Sequence, residues 1–321
     1  MDGTRLRDHL ATAYDIEVTG LAALDFGVFR VDRAGGPSWV ARVFAPGRPA
    51  ARAEGDAAVL GFLEEAGFPA ERCAHPSPVT ALAGRAVLVT TFVTGSPARP
   101  DDATRRALGD LLGRLHALPV PSAGPVARRA GSLHHHPGHE GGPDEDLASA
   151  AEYLASVDAQ VPAGGRAAFE ALRDQVAAAD PCTDLPAAVI HPDPVVANVI
   201  ATPTGPTLVD WTGAGQGPRV TSLVVLLQSV AVGPAGVDPG AVGPVVGAYR
   251  GHVAPEPDEL ARLGAALRLR GLWLACWMYA LAVASGRVPT GREWWWPDDE
   301  GAEAVADRAR TAFGAAPLPA P

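Results

Sequence analysis

Residues 188–211 read Ala188-Val-Ile-His-Pro-Asp-Pro-Val-Val-Ala-Asn-Val-Ile-Ala-Thr-Pro-Thr-Gly-Pro-Thr-Leu-Val-Asp-Trp211. A short apolar run, Ala187 to Ile190, delivers His191 and Asp193 into a loop punctuated by prolines. A second run (Asn198 to Ala201), a Pro-Thr-Gly-Pro turn and a third run (Thr207 to Val209) predict a β-hairpin. Folding about Thr204 makes Asn198 and Asp210 symmetric about the turn and sets both at its open end, beside the loop holding Asp193. An amide oxygen and two carboxylates at one spot suit Mg²⁺, a hard cation that keeps waters or phosphates in its other positions.

The pattern His191-x-Asp193-(x)4-Asn198, followed twelve residues later by Asp210 in Val209-Asp210-Trp211, resembles the catalytic and metal motifs of the aminoglycoside phosphotransferase family. These are small-molecule kinases with a protein-kinase-like fold. The resemblance implies an α+β, two-lobed architecture. A β-rich N-lobe over residues 1–95 would bind nucleotide. A mainly helical C-lobe over 96–321 would carry the catalytic loop, the metal site and the acceptor pocket. It further implies Asp193 as the base facing the substrate hydroxyl, and Asn198 and Asp210 as ligands of Mg²⁺ on the phosphates of ATP or GTP. His191 is read as bracing the loop rather than carrying a proton. Phosphoryl transfer needs little covalent help, so positioning and charge neutralisation dominate, with one carboxylate to orient the hydroxyl. Singly, each of Asp193, Asn198 and Asp210 reads as an ordinary turn residue; the resemblance rests on all three at this spacing.

The 321 residues, 47% hydrophobic and 19% charged, suffice for one large domain or two lobes with their own cores. The start, Met1-Asp-Gly-Thr-Arg-Leu-Arg7, lacks the apolar core of a secretory signal. Cys73, Cys182 and Cys276 are odd in number and far apart, which points to a reducing compartment, read as cytoplasmic, and away from a Cys-based zinc site. A net charge of −10 disfavours nucleic acid and would attract a cationic small molecule. All 26 basic residues are Arg.

Residues 1–95 read as strand-rich with one helix. Val28-Phe-Arg-Val31 and Ser38 to Phe44 are strands joined through a turn at Gly35-Gly-Pro37. By the resemblance the first hairpin covers the nucleotide phosphates, and here it offers only Gly27, next to Asp25. Arg42 stands where a kinase places its phosphate-contacting Lys; the alternative is an Arg on the solvent face of an edge strand. Arg binds phosphate bidentately but is not interchangeable with the compact ammonium. A helix over about 49–66 offers Glu54 as the carboxylate pairing Arg42, or as a solvated surface group. The strand Ala86 to Val93 carries Thr90, Thr91 and Phe92, where the resemblance implies a crossing between lobes and backbone recognition of the base.

Asp102 is read as capping an amphipathic helix over about 103–117, and His116 near its end as a cap favourable to the helix dipole. His134-His-His-Pro-Gly-His139 reads as a solvated loop, with zinc binding as the alternative. Helices are expected over about 144–158, 166–178 and 257–285, the last a core helix with Trp273 and Trp277 one turn apart. Glu293-Trp-Trp-Trp-Pro-Asp-Asp-Glu300 would suit a cationic or ring-bearing acceptor, or serve as an aromatic cover. Downstream of Asp210 the family carries an acidic residue and then Pro-x-x-Asp; here Thr221 and Ser222 stand at the second place, where a hydroxyl would cap the helix. Transfer to a hydroxyl of an aminoglycoside-like or other antibiotic is the leading functional reading. A metabolic kinase of choline, homoserine or sugars, or a nucleotide-binding pseudokinase, is the alternative. The chain is expected to be a monomer or homodimer without membrane partners.

Overall fold

Apolar alternation in the first hundred residues builds one sheet, and helical periodicity takes over afterwards. The computed structural model describes residues 3–130, 143–233, 235–288 and 299–315. In chain order the elements are α1 (Gly3–Tyr14), β1 (Val18–Asp25), β2 (Val28–Arg33), β3 (Trp39–Val43), α2 (Ala50–Glu65), β4 (Val79–Leu82), β5 (Arg85–Thr91) and β6 (Ser96–Pro97). Then come α3 (Asp102–His116), α4 (Pro143–Val157), α5 (Arg166–Ala178), β7 (Ala187–Ile190), β8 (Val199–Thr202), β9 (Gly205–Leu208) and β10 (Gly215–Pro218). Helices α6 (Arg219–Ala231), α7 (Val242–Tyr249), α8 (Pro257–Ala261), α9 (Leu263–Ala284) and α10 (Asp299–Phe313) close the chain. It divides into two compact units. The first comprises Met1–Ala98, Pro121–Arg128 and Ala197–Ala214; the second comprises Arg99–Val120, Arg129–Val196 and Gly215–Pro321. The expected lobe boundary at residue 95 falls close to the end of the first segment. The hairpin with Asn198 and Asp210, however, lies in the first unit.

The first unit holds an antiparallel sheet in the order β1-β2-β3-β5-β4. Strand β3 alternates cleanly: Trp39, Ala41 and Val43 are buried, and they join Val31, Val87 and Val89 in a core that also takes in Leu6, Leu10 and Tyr14 of α1. Burial of each such leucine is worth about 1.5–3 kcal/mol. Helix α1 corrects the expectation of a single helix among these strands. Its segment is polar overall, and only Leu6, Leu10 and Tyr14, spaced at four, mark its buried face. A second cluster joins Phe44, Ala86 and Leu88 to Ala53 of α2. Strands β8 and β9 pair from Val199↔Leu208 to Thr202↔Gly205, and β6 joins them on the β8 side. The turn is therefore Pro203-Thr204, and the hairpin folds half a residue earlier than expected. Asn198 faces Val209, whose N–H donates to its carbonyl at 2.9 Å, and Asp210 lies one position beyond.

In the second unit, β7 and β10 form an antiparallel pair among helices. Helices α4, α5 and α9 share a core of Ala150, Leu154, Phe169, Trp273, Cys276 and Tyr279. The expected helix over 257–285 is two helices, broken at Arg262 (φ −95°, ψ 6°), whose guanidinium holds the carboxylates of Asp180 and Asp184 at 2.6 and 2.5 Å. The α3 cap is Asp101, accepting from the Thr104 N–H at 2.9 Å, rather than Asp102, which occupies the first helical turn.

Candidate active site

In the first unit the decisive contact joins β3 to the residue after β9. The Arg42 guanidinium meets the Asp210 carboxylate at 2.8 Å, with both side chains partly exposed. Asp210 adopts a left-handed backbone (φ 66°), a conformation that disfavours a residue with a Cβ. It is held there by Glu71, whose Oε1 accepts the Asp210 N–H at 2.9 Å while Oε2 accepts the Thr90 hydroxyl at 2.8 Å. Arg42, Glu71, Thr90, Asp56, Trp211 and Thr212 border one cavity within this unit.

Two carboxylates fasten the segment after β9. Glu71 takes the Asp210 N–H, and Asp56 of α2 takes the Gly213 N–H at 2.9 Å. Asp56 is buried, and it also receives Arg48 at 2.6 Å and Arg128 at 2.5 Å. Arg128 further donates to the carbonyls of Arg52 and Ala214. It passes so close to α2 that a Cβ on Gly55 would lie 2.4 Å from its Nη1, which explains the glycine. Burial pulls the Arg48 guanidinium below its ordinary value, and Asp56 opposes that pull. A buried carboxylate between two guanidinium groups is stable only with its partners in place.

Glu54 does not pair with Arg42. The buried face of α2 runs through Ala53, Asp56, Leu60 and Leu63, and Glu54 points to solvent. Helical phase, not proximity in sequence, decides which carboxylate faces inward. Gly27 occupies the β1–β2 tip with φ 72°, and a Cβ there would meet the Val43 carbonyl at 2.7 Å. It is thus required by the turn, whatever ligand the tip meets, and beside it Phe26 stands 93% exposed. Thr90 is buried against Glu71; Phe92 donates its N–H to the Ser38 carbonyl at 2.9 Å and carries Arg30 over its ring.

The second unit holds the other half of the motif. His191 is fully buried at the end of β7, and its Nδ1 accepts the Asp193 N–H at 3.0 Å. That bond fixes the proton on Nε2 and makes the imidazole a brace of the turn. The Ser222 hydroxyl donates to the His191 carbonyl at 2.7 Å. The hydroxyl standing where the family carries an Asp therefore braces the loop and does not cap α6, whose N-cap is Pro218 with no side-chain bond. His116 is likewise structural, but not through charge. Its Nδ1 lies 2.8 Å from the Tyr249 hydroxyl, and burial, aided by Arg219, holds its pKa down to about 3. A neutral imidazole gains nothing from the helix dipole.

A family model described as the phosphotransferase enzyme family matches residues 17–268. The chain belongs to that family. No curated protein matches it. Among solved structures, this phosphotransferase resembles the amicoumacin kinase hAmiN in complex with AMP-PNP, Ca²⁺ and Ami (TM-score 0.62, 15% identity, 99% of this chain and 95% of that one). It also resembles an aminoglycoside-3'-phosphotransferase of type VIII (TM-score 0.55, 24% identity, 83% and 98%). A third likeness is the choline kinase LicA from Streptococcus pneumoniae (TM-score 0.57, 12% identity, 97% and 98%). At these identities the likeness establishes the protein-kinase-like fold: an antiparallel sheet in one unit and a helical second unit.

Three site residues left no mark in the sequence: Glu71, Asp56 and Arg128. Glu71 sits in a Pro-Ala-Glu-Arg loop with no motif, and its partner is 139 residues away. The only available signal for Asp56 was the phase of α2. His134 to His139 and Glu293 to Pro297 lie outside the described residues. Among the described residues no three His, Cys, Asp or Glu side chains gather as a metal cluster. The donor chemistry still fits Mg²⁺: Asp210 offers a carboxylate on a conformationally fixed segment, Asn198 offers an amide oxygen at the same end of the hairpin, and neither is a soft ligand.

Proposed function

We propose that this phosphotransferase moves the γ-phosphoryl group of ATP or GTP to a hydroxyl of a small molecule. The observation that carries the reading is the Arg42–Asp210 pair on a segment fastened by Glu71. It brings a phosphate-directed cation and a metal-directed carboxylate together on fixed backbone. Arg42 positions the phosphates through its planar fork. Asn198 and Asp210 would hold Mg²⁺, which when bound supplies charge neutralisation on the transferring phosphate. Asp193 accepts the hydroxyl proton, and His191 and Ser222 set the backbone that presents it. Thr90 and Phe92, near the end of β5, border the nucleobase. The relatives act on antibiotics and choline by name, and the acceptor here is read as an antibiotic or a metabolic alcohol. The three free thiols fit a reducing, cytoplasmic setting; burial raises Cys73 and Cys182 to about 11 and Cys276 to about 12, which disfavours the thiolate at each.

The test is nucleotide consumption with Mg²⁺ across aminoglycosides, other antibiotics and small amino or sugar alcohols, using ATP and GTP separately. The expected product is one acceptor class heavier by one phosphate. Asp193→Asn should abolish turnover and leave nucleotide binding in place; turnover retained in that variant would remove Asp193 as the base. The exposed Phe26-Gly27 tip favours a second reading, a nucleotide-binding protein without turnover. Mg²⁺-dependent binding with no product on any acceptor would select it.

A further inference from the structure

Helix α9 carries two arginines in its middle, and they are treated differently. Arg268 is neutralised by Glu303 at 3.0 Å, as Arg219, Arg262 and Arg310 elsewhere in the second unit are neutralised by their own carboxylates. Arg270 makes no hydrogen bond and no ion pair with a described residue. It sits in an apolar stretch between buried Leu269 and Leu272, with its guanidinium carbon 5.0 Å from the centre of the Trp273 ring. Trp277 stacks on that ring at 6.3 Å, so the cation rests against aromatic surface. A guanidinium that makes no hydrogen bond to the protein keeps its forked N–H donors for a planar or tetrahedral anion.

Arg270 borders a cavity with Thr221, Val224, Cys182 and Asp146, all within the second unit. The wall formed by Thr221 belongs to the helix whose next residue, Ser222, donates to the His191 carbonyl, two residues before Asp193. The cavity therefore adjoins the catalytic loop. Burial lowers the Arg270 pKa, while the charges of Asp146 and Asp193 favour its protonated form, which places the guanidinium within reach of the base's field. With no carboxylate of a described residue in direct contact, and Asp146 and Asp193 acting on it only through their field, the guanidinium gains from an anion that meets its N–H donors directly.

We propose that the acceptor of this phosphotransferase carries an anionic group, a carboxylate or a phosphate, which Arg270 receives in the cavity beside the catalytic loop while the hydroxyl meets Asp193. The inference rests on the phosphotransferase reading and narrows it. Asp146 on the same cavity leaves room for a donor group, hydroxyl or ammonium, on the same acceptor. A purely cationic acceptor, which the overall net charge would attract, meets the wrong sign at Arg270.

Phenylglyoxal labelling of the full chain, read at Arg270 by peptide mass, tests the site without nucleotide. Arg270 should label in the free protein. Acetate or inorganic phosphate, added separately, should abolish that labelling, and glycerol or ethanolamine should not. Protection by acetate alone assigns a carboxylate, by phosphate alone a phosphate, and either supports the proposal. An Arg270 inert to the reagent, or labelled equally with and without both anions, overturns it. In turnover, Arg270→Met should raise the acceptor KM by roughly a hundredfold with nucleotide KM unchanged, and Arg270→Lys should recover part of the loss. A neutral or cationic acceptor whose KM ignores Arg270→Met overturns the inference and leaves the phosphotransferase reading intact. Anion protection in a protein that binds no nucleotide removes the phosphotransferase reading itself, and the acceptor assignment with it.

Discussion

Replacing Glu71 by Ala isolates what fixes Asp210. The carboxylate accepts two hydrogen bonds, from the Asp210 N–H at 2.9 Å and from the Thr90 hydroxyl at 2.8 Å. Each bond to a charged acceptor is worth about 1.5–3 kcal/mol, and partial exposure of Glu71 argues for the lower end. The left-handed conformation of Asp210 costs about 1–2 kcal/mol, so losing about 1.5 kcal/mol of support offsets most of what sustains it. A change of 1.4 kcal/mol is a factor of about ten in population. Glu71→Ala should therefore weaken Mg²⁺-dependent binding of a non-hydrolysable nucleotide about tenfold. Glu71→Gln keeps an oxygen for the Asp210 N–H and offers its amide to Thr90, so its loss should be about threefold or less. Titration calorimetry with and without Mg²⁺ reads both variants. A Glu71→Ala protein that binds nucleotide as the wild type does, while melting at a lower temperature, would show that Glu71 supports the fold alone. The account of Asp210 would then be wrong.

Asp56→Asn leaves Arg48 and Arg128 sharing an uncharged partner and should cost about 3 kcal/mol or more in urea unfolding; a change below about 1 kcal/mol would remove Asp56 as the hub. Ser222→Ala frees the His191 carbonyl and should lower kcat about tenfold with nucleotide affinity held, and equal losses in both would place the effect in general folding. His116 gives a pH dependence. Its folded pKa of about 3 lies below the ordinary 6.5, so its contribution is whole above pH 6.5 and is lost as pH falls towards 3. About 2 kcal/mol should be gone by pH 5, and His116→Gln should flatten that slope in urea unfolding measured at pH 7 and pH 5.

The sequence carried the fold and the two ends of the site for a physical reason: strand, loop and hairpin in residues 187–211 are local, and their turn residues speak directly. The half-residue error in the hairpin arose because a turn centred on Thr204 and one centred between Pro203 and Thr204 fit the same letters; only the pairing of Val199 with Leu208 decides between them. Glu54 takes the solvated alternative, because rotation about the axis of α2, not a place near the helix start, decides which carboxylate faces inward. Glu71 and Arg128 act through partners brought close by folding alone, and nothing local to either residue foretells that. Ser222 was visible as a departure, yet whether its hydroxyl caps a helix or braces a carbonyl depends on the direction from which α6 approaches the loop.

The first unit is assembled from three stretches of chain, and this bears on how the protein comes to be folded during synthesis. Asp56 emerges early, yet Arg128 follows 72 residues later and the Gly213 amide 157 residues later. Until then a nascent sheet holds a carboxylate destined for the interior with Arg48 as its main counter-charge. The sheet can form, but its interior carboxylate stays hydrated, and the unit closes only when β8 and β9 arrive. Completion of the Arg42–Asp210 geometry and completion of the fold are, for this unit, the same late event in translation.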